Sequence, residues 1–308
     1  MSREERAQSS TIGLKCFNNW LKTVLLSLYC RKGDFVLDLC GGKGGDLGKW
    51  ARLGVGALVL ADVASESVKQ AAERYADVRH KHAFPCHFVD ADCSLPQLWR
   101  RNPELNRFLE YGLFDFVSCQ FALHYAFETE ARARALIDNA ASRLRPGGHF
   151  VCTVPNAHKI VKRLRTTCGL AYGNSLYAIQ VRAPKFTDSD VIAPFGAEYF
   201  FTLADAVENC AEYLVHPGVL TQLAGECGLD LVLHQTFEEF YDCQVTRSDN
   251  RSLLQRMRAD DVSDEEWEAI CVYSVFAFRK RGAVQKGDAA ILPSSDMSSF
   301  VPTIVKVE

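Results

Sequence analysis

Residues 34–46 read DFVLDLCGGKGGD, a short apolar run followed by a glycine-rich turn that is flanked by the acidic residues Asp38 and Asp46. The apolar run predicts a buried strand, and the residues from Asp46 through Trp50 predict a helix. Glycines let the backbone turn sharply and approach a ligand closely. This stretch therefore predicts a strand–turn–helix unit whose turn binds a small molecule.

Strands and helices alternate around this turn. A helix is predicted over 18–29, further helices begin at Ser65 and span 131–144, and strands are predicted at 57–62, 87–89, 114–119 and 150–154. This alternation is typical of an α/β fold with a doubly wound, mostly parallel sheet and helices on both faces. Such sheets bind ligands at the carboxyl ends of their strands.

The pattern changes after residue 156. A basic helix over 159–165 precedes segments that predict strands at 177–181, 199–201, 231–233 and 272–278, and 263–268 reads as an acidic turn. We expect a flexible N-terminus over 1–12 and a single domain over 13–281. Within it, 13–156 forms a cofactor-binding core and 157–281 the substrate-side elements. The polar composition of 282–308 predicts a disordered tail.

Composition narrows the classes of function. The chain has 308 residues and a net charge of −3, whereas proteins that grip long stretches of nucleic acid are usually basic. The twelve cysteines never occur as C-x-x-C, which argues against a zinc site and against a disulfide framework. No apolar run reaches transmembrane length, and the charged N-terminus is unlike a secretory signal. We expect no metal and no membrane partner.

The acids around the glycine turn distinguish between cofactor classes. Asp62 ends the next predicted strand, where a carboxylate accepts ribose hydroxyls. A nicotinamide cofactor would need G-x-G-x-x-G, which is absent, and Asp38 and Asp46 would repel its pyrophosphate. They suit a cationic ligand such as S-adenosylmethionine. Asp92, after the third strand, could accept from an adenine amino group, or could equally be a cap or a surface acid.

Aromatic and imidazole side chains follow the fourth strand. Phe121, His124 and Tyr125 come at the expected ligand-binding edge, although each alone could serve packing. Because aromatic faces stack on unpaired nucleobases, together they suggest a platform for a base.

Five segments, in order, resemble the eukaryotic mRNA cap guanine-N7 methyltransferases, a family of class I S-adenosylmethionine-dependent enzymes. They are 17–22 (FNNWLK), 37–47, 120–127 (QFALHYAF), 211–215 (AEYLV) and 273–278 (YSVFAF). The resemblance spans Lys15 to Lys280. It implies a Rossmann-like sheet with a C-terminal β-rich cap-binding insertion. It also implies S-adenosylmethionine as methyl donor, 5′-capped mRNA as substrate, the nucleus as location and partners in the capping apparatus or RNA polymerase II.

The resemblance also implies roles for individual residues. The cofactor-binding positions are Lys22, Asp38, Cys40, Gly42, Asp46, Asp62, Asp92 and Gln120. The cap guanine positions are Phe121, His124, Tyr125, Glu212 and Tyr273, and those near the cap phosphates are Lys43 and Arg74. Guanine offers N1–H and an amino group on one edge, and a carboxylate such as Glu212 can accept from both. Since N7 carries a lone pair at neutral pH, we expect direct in-line transfer without a general base.

The chain departs from the family pattern at two of these places. Cys40 stands where the family has the first glycine of the turn, so its side chain could crowd the cofactor or force a different backbone angle. Ala211 stands where the family usually has proline, in what we expect to be a loop carrying Glu212. Two alternatives stay open: a methyltransferase for a small metabolite, and a cap-binding protein without catalytic activity.

Overall fold

The computed structural model describes residues 9–78, 84–167, 170–182, 186, 191–283 and 302–308. The strands in these ranges are β1 (Phe35–Leu39), β2 (Ala57–Asp62), β3 (Cys86–Asp90), β4 (Phe114–Gln120), β5 (Leu144–Pro155), β6 (Ala171–Gly173), β7 (Tyr177–Gln180), β8 (Glu198–Leu203), β9 (Val207–Tyr213), β10 (Leu229–Thr236), β11 (Tyr273–Lys280) and β12 (Ile304–Lys306). The α-helices are α1 (Ile12–Tyr29), α2 (Leu47–Leu53), α3 (Ser65–Val78), α4 (Asn106–Leu109), α5 (Glu130–Ala141), α6 (Ala157–Thr166), α7 (Pro217–Glu226), α8 (Phe237–Val245), α9 (Ser248–Arg256) and α10 (Asp264–Ile270).

A central sheet organises the fold. Its eight described strands lie in the order β10-β11-β5-β4-β1-β2-β3-β12. Strands β1 to β5 pair in parallel, and β11 runs antiparallel to its neighbours β5 and β10. The expected doubly wound, mostly parallel sheet is confirmed. The carboxyl ends of β1, β2, β3 and β4 therefore meet at one edge, where the predicted cofactor residues lie.

Helices cover both faces of this sheet. Along β1, Val36 packs into one core with α1, α2 and α3, whereas Phe35, Leu37 and Leu39 pack into another with α5 and α7. Both faces of a parallel sheet are buried, which is why β1 and β2 are continuous apolar runs.

A second sheet lies between β5 and α7 in the sequence. Strands β6, β7, β8 and β9 pair antiparallel in that order. Tyr199 and Phe201 of β8 share a core with Ile160 and Leu164 of α6. This is the expected β-rich insertion. Glu212 lies on strand β9, so the expectation that a loop carries it is wrong: Tyr199 of β8 pairs with Glu212 and keeps the backbone extended.

The acidic segment at 263–268 is helical, so its interpretation as a turn is also wrong. Ser263 caps α10: its hydroxyl accepts from the backbone N–H of Glu266, whose carboxylate accepts from the backbone N–H of Ser263. This reciprocal capping box satisfies two backbone donors at the helix start. Glu266 also accepts from the backbone N–H of Leu14 at 2.9 Å, which ties α10 to α1.

The sequence predicts a flexible segment over 1–12 and a disordered tail over 282–308, and the structure differs from both predictions in part. Residues 9–12 are not simply flexible, since Ser9 and Thr11 are buried and Ser9 donates to Asp205 at 3.0 Å. Residues 1–8, and 284–301 of the expected disordered tail, lie outside the described residues. At 304–306 the tail forms β12, which pairs with β3 because Val305 is apolar enough to be buried there.

Candidate active site

The glycine turn follows β1 in a left-handed backbone conformation. Cys40 has a φ of 55°, Gly42 of 53° and Gly44 of 67°. A side chain at Cys40 therefore occupies the conformation that favours glycine, at a cost of roughly 1–2 kcal/mol. A Cβ added at Gly42 would meet no atom within 4 Å, so the turn faces open space on the side where a ligand can approach.

Asp62 holds this turn from the end of β2. One of its carboxylate oxygens accepts from the backbone N–H of Gly42 at 2.8 Å, and the other accepts from that of Ala64 at 2.9 Å. Only 9% of the residue is exposed. The remaining lone pairs lie at the edge where the sequence predicts a ribose.

Asp46 lies between two lysines just before α2. Its carboxylate is 2.8 Å from the Nζ atom of Lys22 and 2.6 Å from that of Lys49. Burial alone would raise the pKa of Asp46, but the two ammonium groups outweigh it and hold that pKa below its usual value. Lys49 is itself buried and also donates to Asn19 at 2.9 Å. Lys22 remains partly exposed and can turn toward a ligand carboxylate.

Asp38 is buried within β1, directly before the turn. Its carboxylate accepts from the indole N–H of Trp50 at 3.1 Å. Burial, together with the nearby charge of Asp46, raises the pKa of Asp38 to about 7. A cation placed beside the turn would stabilise the ionised form of this carboxylate.

Asp92 follows β3 and already has partners. One oxygen accepts from the hydroxyl and the backbone N–H of Ser94, at 2.6 and 2.8 Å, and the other lies 3.0 Å from Arg132. Burial alone would raise the pKa of Asp92, but these contacts outweigh it and lower that pKa. Asp92 therefore does act as a cap of its own turn, while it remains at the edge that holds Asp62.

Gln120 and Phe121 end β4 beside the glycine turn. Gln120 donates to Ser118 at 3.1 Å, and its Oε1 atom is buried with no hydrogen-bond partner among the described residues. Phe121 has a φ of 57°, held by a hydrogen bond from its N–H to the hydroxyl of Thr153 at 2.8 Å. Its ring meets that of Tyr273 edge-on at 5.1 Å. Strain at such a position is typical of functional sites.

Glu212 is buried against the side chains of Tyr199, Tyr125 and His124. It is 3% exposed, and its Oε2 atom accepts from the hydroxyl of Tyr199 at 2.6 Å. Its Oε1 atom is 3.4 Å from the hydroxyl of Tyr125 and 3.4 Å from Nε2 of His124. The contact to His124 lacks hydrogen-bond geometry, and both ring nitrogens of that buried histidine have no hydrogen-bond partner in the described ranges. Burial and the charge of Glu212 raise the pKa of Tyr125, which stays a neutral donor.

The two expected phosphate-binding cations lie on the surface. Lys43 is exposed in the glycine turn and Arg74 is exposed on α3. Ala71, one turn before Arg74, packs close to Gly44, so α3 borders the turn. Neither side chain has an ion pair within the described part of the chain, so both charges are available to an anion.

The structure thus places the predicted site residues along one edge, in two neighbouring groups. The acids and Gln120 surround the glycine turn, and a second group consists of aromatic side chains packed around Glu212, namely Phe121, His124, Tyr125 and Tyr273. Sequence reasoning missed Lys49 and Tyr199. The spacing of three residues from Asp46 could have indicated Lys49, but only the pairing of β8 with β9 reveals Tyr199.

The site consists of carboxylates, aromatic rings and one buried imidazole. No group of three or more His, Cys, Asp or Glu side chains in the described ranges could hold a metal ion. The arrangement offers carboxylates for a cationic ligand and a buried carboxylate for a planar ring with adjacent N–H donors. It can hold two reactants side by side.

The fold and this site together define a class I S-adenosylmethionine-dependent methyltransferase. The solved structure of such an enzyme from Clostridium acetobutylicum ATCC 824 shares the fold with a TM-score of 0.51 at 12% identity, covering 87% of this chain and 92% of that chain. S-adenosylmethionine is the methyl donor of this class, and the unpartnered Oε1 atom of Gln120 and the open side of Gly42 fit a ligand there.

More specifically, the chain belongs to the mRNA (guanine-N(7))-methyltransferase family, whose domain profile matches residues 1–281. It is similar to mRNA cap guanine-N(7) methyltransferase 1 of Oryza sativa subsp. japonica, with 41% identity over 296 residues that cover 91% of this chain and 78% of that protein. The protein of the same name from Arabidopsis thaliana is 41% identical over 298 residues, with the same coverage of both chains. The family expected from the sequence is confirmed, whereas the roles of single residues remain predictions. No helix in the described ranges is long and apolar enough to span a membrane.

Proposed function

We propose that this protein moves the methyl group of S-adenosylmethionine to N7 of the guanine in the 5′ cap of mRNA, with Glu212 as the residue that recognises the guanine. The observation that supports this best is the Glu212 carboxylate, which is buried against the side chains of Tyr199, Tyr125 and His124. A buried carboxylate is costly unless its lone pairs accept hydrogen bonds, and within the described part of the chain Glu212 faces the hydroxyls of Tyr199 and Tyr125 and the ring of His124. Guanine offers two adjacent N–H donors to such a group, while adenine does not.

The aromatic rings near Glu212 would set the plane of the base. The rings of Phe121 and Tyr273 meet edge-on, and the ring centroids of His124 and Tyr125 are 4.3 Å apart. A purine inserted against these faces gains stacking worth about 1–3 kcal/mol. Its N1 edge would point toward Glu212, and its N7 edge toward the glycine turn.

The donor site uses residues of the cofactor core. We propose that Asp62 and the turn at Gly42 hold the ribose, that Asp92 and Gln120 hold the adenine side, and that Lys22 pairs with the methionine carboxylate. S-adenosylmethionine supplies a methyl group on a cationic sulfur. Asp46 is already paired with Lys22 and Lys49, so Asp38 is the carboxylate of this pair that a cationic ligand would stabilise in its ionised form.

Transfer would need positioning rather than acid–base catalysis. Guanine N7 loses no proton on methylation, so His124 and Tyr125 would orient the base and exclude water. Holding two reactants in line can contribute about 7–11 kcal/mol in favourable cases. Lys43 and Arg74, free and exposed beside the turn, would bind the cap phosphates.

Partner and location follow only from the family. We propose a nuclear protein that meets nascent transcripts through the capping apparatus or RNA polymerase II. The test is a pull-down from nuclear extract with the full chain as bait. We expect it to retain capping enzymes or RNA polymerase II. Retention of capped RNA without either protein would contradict the proposed partners.

The test of the activity is methyl transfer from labelled S-adenosylmethionine to GpppG-capped RNA, with N7-methylated capped RNA as control. We expect label in the first RNA and none in the second. Label in free small metabolites alone would favour a small-molecule methyltransferase. Binding of S-adenosylhomocysteine or cap without any transfer would favour a non-catalytic cap-binding protein.

A matched pair of variants tests the role of Glu212. Glu212→Gln replaces one acceptor by a donor facing the guanine N–H groups, and should lower kcat/KM for capped RNA by roughly 100-fold or more. Glu208→Gln changes an exposed carboxylate on the same strand and should have little effect. Equal activity of the two variants would contradict the proposed role.

A further inference from the structure

The last seven residues form the outer edge of the central sheet. In the parallel pairing of β12 with β3, Ile304 lies beside Phe88, Val305 beside Val89 and Lys306 beside Asp90. The backbone N–H of Phe88 donates to Thr303 at 3.1 Å, and that of Val307 donates to Asp90 at 2.9 Å. The backbone groups of β3 that would otherwise form an open edge are therefore paired.

The side chains of this segment alternate between the core and the surface. Val305 and Val307 are 2% and 6% exposed and join the core formed by Val89 and Leu98, whereas Ile304 is 43% exposed. Burial of a valine side chain contributes roughly 1.5–3 kcal/mol. The segment is thus bound by two apolar side chains and not by backbone pairing alone.

The segment also contacts the loop that carries Asp92. Asn102 donates from its side chain to the carbonyl of Lys306 at 2.8 Å, and Arg101 donates to the carbonyl of Glu308 at 3.4 Å. Arg101 also donates to the carbonyl of Pro96 at 2.8 Å within the loop. On the inner side, Asn139 of α5 donates to the carbonyls of Cys93 and Leu95. The loop after Asp92 is therefore held between α5 on one side and β12 on the other.

The chain is long enough to place this strand in its own sheet. Strand β11, which leads to the tail, lies six strand positions from β12, a distance of roughly 29 Å at about 4.8 Å per strand. Residues 284–301 separate the two described parts, and a fully extended segment of that length reaches roughly 60 Å.

We infer that residues 302–308 are a positioning segment for the adenine side of the cofactor site. By fixing the end of β3 and the loop behind Asp92, they keep that carboxylate at the sheet edge beside Asp62. This inference rests on the proposed function of Asp92 in cofactor binding. It gives the C-terminal tail a part in donor affinity, and none in recognition of the cap.

The test compares Val305→Asp with Ile304→Asp in the full-length chain. The first places a charge in the core, whereas the second places the same charge on the exposed face of the same strand. We expect Val305→Asp to raise KM for S-adenosylmethionine and Kd for S-adenosylhomocysteine by roughly two- to tenfold, the worth of about one hydrogen bond at Asp92. The kcat and the KM for capped RNA should stay unchanged, and Ile304→Asp should behave as the unmodified chain.

A milder variant guards against general destabilisation. Asn102→Ala removes the hydrogen bond to Lys306, together with the cap on the backbone N–H of Glu104, without altering the core, and should give a shift in donor affinity of the same direction. Equal losses for donor and cap, or unchanged donor affinity in both Val305→Asp and Asn102→Ala, would overturn the inference. So would a dimer that becomes a monomer when the chain ends at residue 301, because the strand would then come from a second copy.

Failure of the proposed function is distinguishable from failure of this inference. If the unmodified chain binds no S-adenosylhomocysteine in calorimetry, the cofactor assignment itself is wrong. If it binds and the variants bind equally well, only the role of residues 302–308 is wrong.

Discussion

Replacing Tyr199 by phenylalanine removes one hydroxyl group from the proposed guanine site and leaves the ring in place. Tyr199 is fully buried, and its hydroxyl donates to Oε2 of Glu212 at 2.6 Å. The pairing of β8 with β9 sets these two residues beside each other. The change therefore affects the orientation of the carboxylate without opening a large cavity.

The size of the effect follows from this single bond. A hydrogen bond to a charged group contributes about 1.5–3 kcal/mol, and its loss corresponds to roughly a 10- to 150-fold change. We expect kcat/KM for capped RNA to fall by that factor. KM for S-adenosylmethionine should be unchanged, because none of the proposed donor residues lies in the small antiparallel sheet.

The assay is steady-state methyl transfer with each substrate varied in turn, together with a thermal unfolding curve. Tyr172→Phe is a matched control, because it also removes a tyrosine hydroxyl from the small sheet. The ring of Tyr172 lies 5.8 Å from the guanidinium of Arg163. A Tyr199→Phe enzyme within twofold of the unmodified one would refute the idea that this hydroxyl orients Glu212. So would an equal loss in both variants.

Three further predictions concern the glycine turn. Because the pKa of Asp38 is raised to about 7, the folded state holds the proton of this carboxyl more tightly than the unfolded state does. The resulting stabilisation is fully present below about pH 3.8 and is lost as pH rises through 7. Asp38→Asn should remove this slope and raise the unfolding free energy at pH 8 by at most about 4 kcal/mol, measured by urea unfolding at pH 5 and pH 8; an unchanged slope would contradict it. Cys40→Gly relieves the left-handed conformation at this position but removes a side chain packed beside Cys93 and Cys119, so these effects and the chain entropy of glycine should nearly cancel; a change of more than about 2 kcal/mol in the unfolding free energy, measured by calorimetry, would contradict this balance. Lys43→Ala should weaken capped RNA binding and reduce the slope of log affinity against log salt by about 1, with the affinity for S-adenosylhomocysteine unchanged; an unaltered slope would remove Lys43 from the phosphate site.

The core of the fold could be predicted because its signals are local. The strand ending at Asp62 and the helix beginning at Ser65 occur as the sequence predicts. Buried parallel strands are continuous apolar runs, and their ends are marked by acids or glycines. The positions of Asp38, Asp46 and Asp62 around one turn follow from that regularity.

Elements held by distant partners could not be predicted in the same way. Strand β9 alternates weakly, and it is extended because it pairs with β8. Strand β12 has three residues and depends on the edge of β3. Tyr199 and Lys49 carry no local mark of function, since their roles arise from contacts with Glu212 and Asp46.

One error had a signal in the sequence. Ser263 followed three residues later by Glu266 is the pattern of a capping box, and it precedes the periodic apolar residues of α10. A high density of acids also occurs in turns, but acids in the first helical turn stabilise the N-terminus of a helix.

The residue proposed to read the guanine edge lies in a different part of the chain from the proposed donor residues, which has an evolutionary consequence. Every proposed donor residue lies before β5, whereas Glu212 and Tyr199 belong to the small antiparallel sheet inserted between β5 and α7. Mutation within that inserted sheet can alter which acceptor is methylated while leaving donor binding intact. A lineage carrying this core could thus alter how the edge of the acceptor is recognised through one continuous piece of chain, while Phe121, His124 and Tyr125 stay with the donor core.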